Sequence, residues 1–171
     1  MTRFLVAVVD GARARFLTLE PLDDPEFESG PDLVERCERL NPAVEMADQD
    51  LWASPKSGCG GGGSSKSHSY DDHRDNHRVE FERRFAQAIV GQVDALIAAY
   101  DLNTLILVAE PQILGVLRDS LHSSNGRSIT ISDLAKDLCW MKPRQIHDYL
   151  AQKALLPGRQ LALVGGRSRQ G

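Results

Sequence analysis

The sequence predicts an α/β fold, a mixed β-sheet made of an N-terminal hairpin plus βαβα units and packed with about three helices. Two apolar runs, Phe4-Leu5-Val6-Ala7-Val8-Val9 and Leu105-Ile106-Leu107-Val108-Ala109, have the length and continuity of strands covered on both faces. Between them, Phe81, Phe85, Ile89, Val93, Leu96 and Tyr100 recur at steps of three and four, the stripe of a long helix lying on a sheet. From there on, strand-like and helix-like segments alternate.

Taken in order, residues 4–9 form the first strand, and Asp10-Gly11 is a hairpin turn signal. Ala12 to Leu19 alternates, with Ala12, Ala14, Phe16 and Thr18 on one face and Arg13 and Arg15 on the other. Residues 21–31 hold three prolines and read as loop. Residues 33–40 fit two templates. Leu33, Val34, Cys37 and Leu40 have helical spacing, yet the bounding Pro31 and Pro42 also suit a short strand. Residues 53–70, rich in glycine and serine, read as a flexible loop. The long helix is expected from about Arg74 to Tyr100. Thr104–Ala109 is a strand, and Pro111 opens a helix buried through Leu114, Leu117 and Leu121. Asn125-Gly126 is a turn before a strand at Ser128–Ser132. Pro143 opens the last helix, with Ile146, Tyr149, Leu150 and Ala154 inward. Residues 1–156 thus form one domain, and the basic segment 157–171 is expected to be a flexible tail, with a short strand at Leu161–Val164 as the other option.

Composition narrows function by exclusion. The 171 residues carry a formal net charge of −4, against a general nucleic-acid coat and against DNA as a partner. The charge is uneven. Residues 20–50 hold eleven acids and two bases, a balance of −9, which leaves the rest of the chain at +5. No apolar run nears the ~18 residues that cross a bilayer, so no membrane is expected. The short apolar start ends at Asp10-Gly11 and lacks a signal-peptide pattern, which points to the cytoplasm. Three cysteines without a CxxC pair form neither a zinc ribbon nor a disulfide scaffold. Cys37 and Cys139 read as core residues, and Cys59 as exposed within the glycines. No Walker loop, GxGxxG or GxSxG occurs, and no cofactor is expected.

Several groups remain as candidates. In His68–His77, His73 and His77 lie four apart, a spacing that can seat zinc, and Asp72 and Asp75 are candidates for catalysis. Against this stands helix capping, because acids in a first turn favour the macrodipole and bond its free N–H groups. Arg13, Arg15, Arg84 and Arg118 are candidate phosphate contacts if they share a side, with Arg83 near them. Arg118 has Asp119 and Asp137 as possible ion-pair partners. Gly60, Gly61, Gly62, Gly63 and Ser64 form a candidate binding loop, since glycine lets bare amides approach a phosphate or an oxyanion.

Four motifs in series give these residues a context: Asp10-Gly11-Ala12-Arg13-Ala14-Arg15; Asp72-His73-Arg74-Asp75-Asn76-His77 with Arg84-Phe85-Ala86; Leu107-Val108-Ala109-Glu110-Pro111 with Leu114-Gly115-Val116-Leu117-Arg118; and Lys136-Asp137-Leu138. Over residues 3–152 the chain resembles the bacterial proteins called "required for attachment to host cells". That family is similar to the central domain of eukaryotic and archaeal class I release factors. The resemblance implies the same fold, with residues 33–40 as strand. It also implies a loop between the third strand and the long helix that, in release factors, carries Gly-Gly-Gln into the peptidyl-transferase centre. Here Gly63 is followed by Ser64, and the nearest glutamines, Gln49 and Gln87, lie outside the loop, which argues against hydrolysis. Glu110-Pro111 replaces the family's two prolines, and Cys139 its threonine. The implied function is a binding module on the ribosome or tRNA rather than an enzyme. The alternatives are a hydrolase acting on peptidyl-tRNA or RNA through residues 68–77, and a regulatory protein–protein module. Oligomeric state is not set by the sequence.

Overall fold

The computed structural model describes residues 2–24, 27–42, 44, 68–124 and 128–162, with side-chain detail throughout except at 68–81 and 124. Five strands and three helices follow in the order β1 (Phe4–Val9), β2 (Arg13–Glu20), β3 (Asp32–Leu40), α1 (His68–Tyr100), β4 (Thr104–Ala109), α2 (Pro111–Ser124), β5 (Thr130–Ala135) and α3 (Pro143–Gln152). One mixed sheet has the order β3-β2-β1-β4-β5. β1 pairs antiparallel with β2 and parallel with β4, β2 pairs antiparallel with β3, and β4 parallel with β5. The central strand therefore joins an antiparallel half to a parallel half.

Alternation along the strands sorts the core into two layers. Leu5, Ala7 and Val9, with Ala14, Phe16, Leu105 and Leu107, face α1 and α2. Val6, Val8, Leu17, Ile106 and Val108 face the other way and are covered by Ile146 and Leu150 of α3 with Leu138 and Cys139. Both faces of the central strands are dry, which is why β1 and β4 read as unbroken apolar runs. The inward stripe of α1 is buried from Phe85 to Leu96, as are Leu114, Leu117 and Leu121 of α2. Tyr100 departs from its stripe. It is 39% exposed, and the Arg36 guanidinium lies 4.8 Å from its ring centroid.

The ambiguous segment 33–40 is a strand, β3, with a register shift opposite Phe16/Leu17. This bulge adds Arg36 to the strand, so the β3 side chains lose strict alternation. At the β1–β2 turn, the Asp10 carboxylate accepts the amides of Ala12 (2.7 Å) and Arg13 (2.8 Å). The aspartate side chain closes this turn, because Gly11 stays outside the left-handed region.

Four boundaries differ from the sequence expectation. The long helix is already formed at His68, so residues 68–70 belong to it and not to a loop, while 53–67 lie outside the described residues. β5 covers Thr130–Ala135 rather than Ser128–Ser132, because it pairs in register along the whole of β4, from Thr104↔Thr130 to Ala109↔Ala135. α3 ends at Gln152, and Ala154 turns the chain with a φ of 58° instead of facing the core. That reversal lets the Leu155 amide bond to the Leu150 carbonyl at 2.9 Å and buries Leu156. Residues 157–162 are fastened rather than loose. Gly30 and Gln160 exchange two backbone hydrogen bonds, the Arg159 guanidinium bonds Asp32, and the Ala162 amide bonds the Ser29 hydroxyl. The predicted Asn125-Gly126 turn lies outside the described residues.

Candidate functional site

The parallel strands β1, β4 and β5 end together at Val9, Ala109 and Ala135, so the segments that follow them meet at one edge of the sheet. These are Asp10–Ala12, Glu110–Pro111 and Lys136–Lys142. In open α/β sheets the carboxyl edge beside a change of strand direction is where ligands gather. Three of the four motif segments thus converge although about 25 to 125 residues separate them along the chain.

The convergence is held by arginines. Arg15, a candidate phosphate contact in the sequence, lies on the β2 face opposite Phe16, yet it is only 7% exposed because the 136–142 segment lies over it. Its Nε and Nη2 bond both oxygens of Glu35 (2.7 and 2.9 Å), and its Nη1 donates to the carbonyls of Cys139 (2.8 Å) and Met141 (2.7 Å). Four of its five N–H groups serve the interior, which leaves it unsuited to phosphate contact. The same bonds hold the Glu35 carboxyl below its ordinary range, with burial opposing, and the Arg15 guanidinium above its own. Arg13 donates from Nη2 to the Cys139 carbonyl at 2.9 Å and pairs with Glu38 at 3.5 Å. Two guanidinium groups therefore converge on one carbonyl oxygen and fix the segment after β5.

Asp10, Asp137 and Cys139 place a carboxylate oxygen, a carboxylate oxygen and a sulfur within 4.8 Å of one another, the one such trio among the described residues. Each is engaged in the turn itself. Asp10 closes the β1–β2 turn, Asp137 accepts the Cys139 amide at 3.1 Å, and the Cys139 thiol donates to the Val8 carbonyl at 3.5 Å. Burial first, then the two carboxylates, push the thiol up to about 12. All three groups are thus engaged in hydrogen bonds of the turn, and the trio reads as a hydrogen-bonded corner. Cys139 should consequently react roughly a thousandfold more slowly with iodoacetamide at pH 7.5 than an ordinary thiol near pKa ~8.5, judged from thiolate fraction. Peptide mapping by mass spectrometry checks this, and labelling of Cys139 in the folded protein at an ordinary rate would refute it.

Outward, the same segment carries Trp140, 70% exposed, whose indole Nε1 donates to the Asp137 carbonyl at 3.1 Å. Lys136, Lys142 and Arg144, within four residues of it along the chain, are exposed as well. The ring is pinned at its nitrogen while its surface stays open. Sequence reasoning missed this group; the signal was a tryptophan among three bases, Lys136-Asp137-Leu138-Cys139-Trp140-Met141-Lys142-Pro143-Arg144.

The other predicted site residues are dispersed. Arg118 on α2 pairs with Asp133 of β5, not with Asp119 or Asp137. Arg84 is exposed on α1. The four arginines thus sit on β2, α1 and α2 and do not form one phosphate patch. Asp72, His73, Asp75 and His77 lie on α1, with His73 and His77 one turn apart. Since the helix is formed at His68, Asp72 and Asp75 fall beyond its first turn, which removes the capping geometry expected of them. Their side chains, Cys59 and Gly60, Gly61, Gly62, Gly63 and Ser64 lie outside what the structure describes.

No described helix is long and apolar enough to cross a membrane. No curated protein matches this chain. The family described as "protein required for attachment to host cells" matches residues 5–150, nearly all of the sheet and its three helices, and the chain belongs to that family.

Proposed function

We propose that this family member is a binding module for RNA, on the ribosome or on tRNA, and that the Lys136–Arg144 segment is its contact. The observation that carries the reading is the open Trp140 face, held by its indole hydrogen bond in a segment whose Lys136, Lys142 and Arg144 are exposed. Unpaired bases stack on such faces, at ~1–3 kcal/mol per base, while lysines and arginines meet the backbone. The likeness to the release-factor central domain supports a ribosomal setting, with residues 60–64 as a second contact.

The test is fluorescence in a Trp52→Phe background. Adding tRNA or single-stranded RNA should quench Trp140 saturably, and in a filter-binding assay with labelled RNA, which needs no tryptophan, Trp140→Ala should weaken binding about tenfold, the equivalent of one lost stack. Affinity should fall with salt. Absence of quenching, together with no co-sedimentation with ribosomes, would sink the proposal. Peptide release from peptidyl-tRNA that disappears in Asp72→Ala or His77→Ala would move the function to the start of α1 and make the protein a hydrolase.

A further inference from the structure

At the opposite edge of the sheet, below the starts of β1 and β4, lies a cavity of about 490 Å³. We propose that it binds a medium-chain monocarboxylate, with the apolar tail inside and the carboxylate on Arg3. The site is remote from the Trp140 surface, and the two proposals stand or fall separately.

The walls set the tail. Phe4, Leu19, Leu22, Tyr100 and Leu102 supply apolar surface. Pro21, Pro31 and Pro157 complete it and, lacking N–H groups, add no backbone donors. Apolar surface is the larger share of the lining, and release of the water over it favours an apolar guest. Its size falls within the range of small-molecule sites, ~300–1,000 Å³.

The polar groups set the head. Thr18, Glu20 and Arg3 are the functional side chains that bear on ligand charge. Glu20 is already neutralised by Arg36, and Thr18 accepts from the Arg36 Nε at 2.8 Å. These three form a closed set that offers no free charge. Arg3 is held loosely. Its side chain is 53% exposed, its Nη1 reaches the Tyr100 carbonyl at 3.4 Å, and its acid partner Asp101, at 3.5 Å, is 95% exposed. A pair so open to water is worth little, so a ligand carboxylate can replace Asp101 and gain a bidentate contact. A cationic head would meet Arg3, and Glu20, the acid among the described lining residues, is already paired with Arg36.

The wall also explains why the C-terminal segment is fastened. Pro31 follows Gly30, and Pro157 lies just before the residues that bond Gly30, Ser29 and Asp32. That clasp joins two sides of the cavity. A Cβ at Gly30 would come within 2.8 Å of Leu22 Cδ2, so the glycine is what lets Leu22 pack there.

The experiment is an NMR titration of the full chain with sodium octanoate, octanol and octylamine, followed at the Phe4, Leu19 and Leu22 amides. Octanoate should give saturable shifts at these positions, tighter than either analogue. Arg3→Gln, at an exposed side chain, should weaken octanoate about tenfold and leave octanol unchanged. The proposal is overturned if octanoate gives no saturable shift, if octanol or octylamine binds as tightly, or if Arg3→Gln leaves octanoate affinity intact.

Discussion

Replacing Arg15 with methionine should lower stability by about 3 kcal/mol, a drop of roughly 6–12 °C in melting temperature for a chain of this size. Methionine keeps most of the length and apolar stem, so the loss falls on the hydrogen bonds. Glu35 would lose its bidentate partner, and the carbonyls of Cys139 and Met141 would lose charged donors. Breaking a fully buried pair costs about 3–5 kcal/mol; the lower figure reflects a Glu35 side chain that is 32% exposed. Arg15→Lys should recover only part of the loss, because one ammonium cannot meet a carboxylate and two carbonyls from the same place. Thermal melts of the three proteins decide the matter, and a methionine variant as stable as the parent would show that the pair contributes nothing. The pair also gives a pH signature. The Glu35 carboxyl is depressed in the folded state, so its stabilisation is fully present above the ordinary value of 4.5 and is lost as pH falls below that through the folded value. The gap in stability between parent and Arg15→Met should therefore narrow below pH 4.5.

Phe16→Ala should cost more, about 3–5 kcal/mol. Phe16 is fully buried between Ala7 of β1 and Cys37 of β3, beneath α1. The small Ala7 opposite it and Ala14 two residues back make the room the ring occupies. β2 is hydrogen-bonded on both edges, so the strands cannot close on the void left by alanine. Phe16→Leu should cost under about 1.5 kcal/mol, because it restores most of the volume. Urea titration reads both values, and an alanine variant within 1 kcal/mol of the parent, on the scale of ordinary surface changes, would mean that the sheet relaxes.

The two variants also mark where the sequence was informative. Strands β1, β2 and β4 and the inner stripes of α1 and α2 were legible, because their periodicity is local and unbroken. β3 was not, since the extra residue at Arg36 breaks alternation and leaves spacings that a helix also satisfies. The start of α1 was set too late because residues 68–73 offer no apolar stripe to extend. Ala154 was misplaced because periodicity does not register a left-handed turn. Arg15 shows the deeper limit. Alternation put it on the correct face, but that face is dry only because a segment some 120 residues later lies over it. Even with 33–40 as strand, the register sets Arg15 opposite Glu38, and only the bulge at Arg36 brings Glu35 opposite Leu17, onto the face that Arg15 shares. Trp140 escaped notice because nothing local to Cys139-Trp140-Met141 says which of the three turns outward.

The position of β1 between two kinds of neighbour has a consequence for synthesis. Its antiparallel partner β2 emerges from the ribosome soon after it, but its other edge, Phe4 to Val9, must wait for residues 104–109. At ~5–20 residues per second that wait is about 5–20 s. Through it, the most apolar strand of the nascent chain offers an unpaired row of amides and carbonyls, the template on which neighbouring chains aggregate. Until the parallel partner arrives, this strand is the part of the nascent chain most exposed to aggregation, and shielding it in that interval should raise the yield of folded protein.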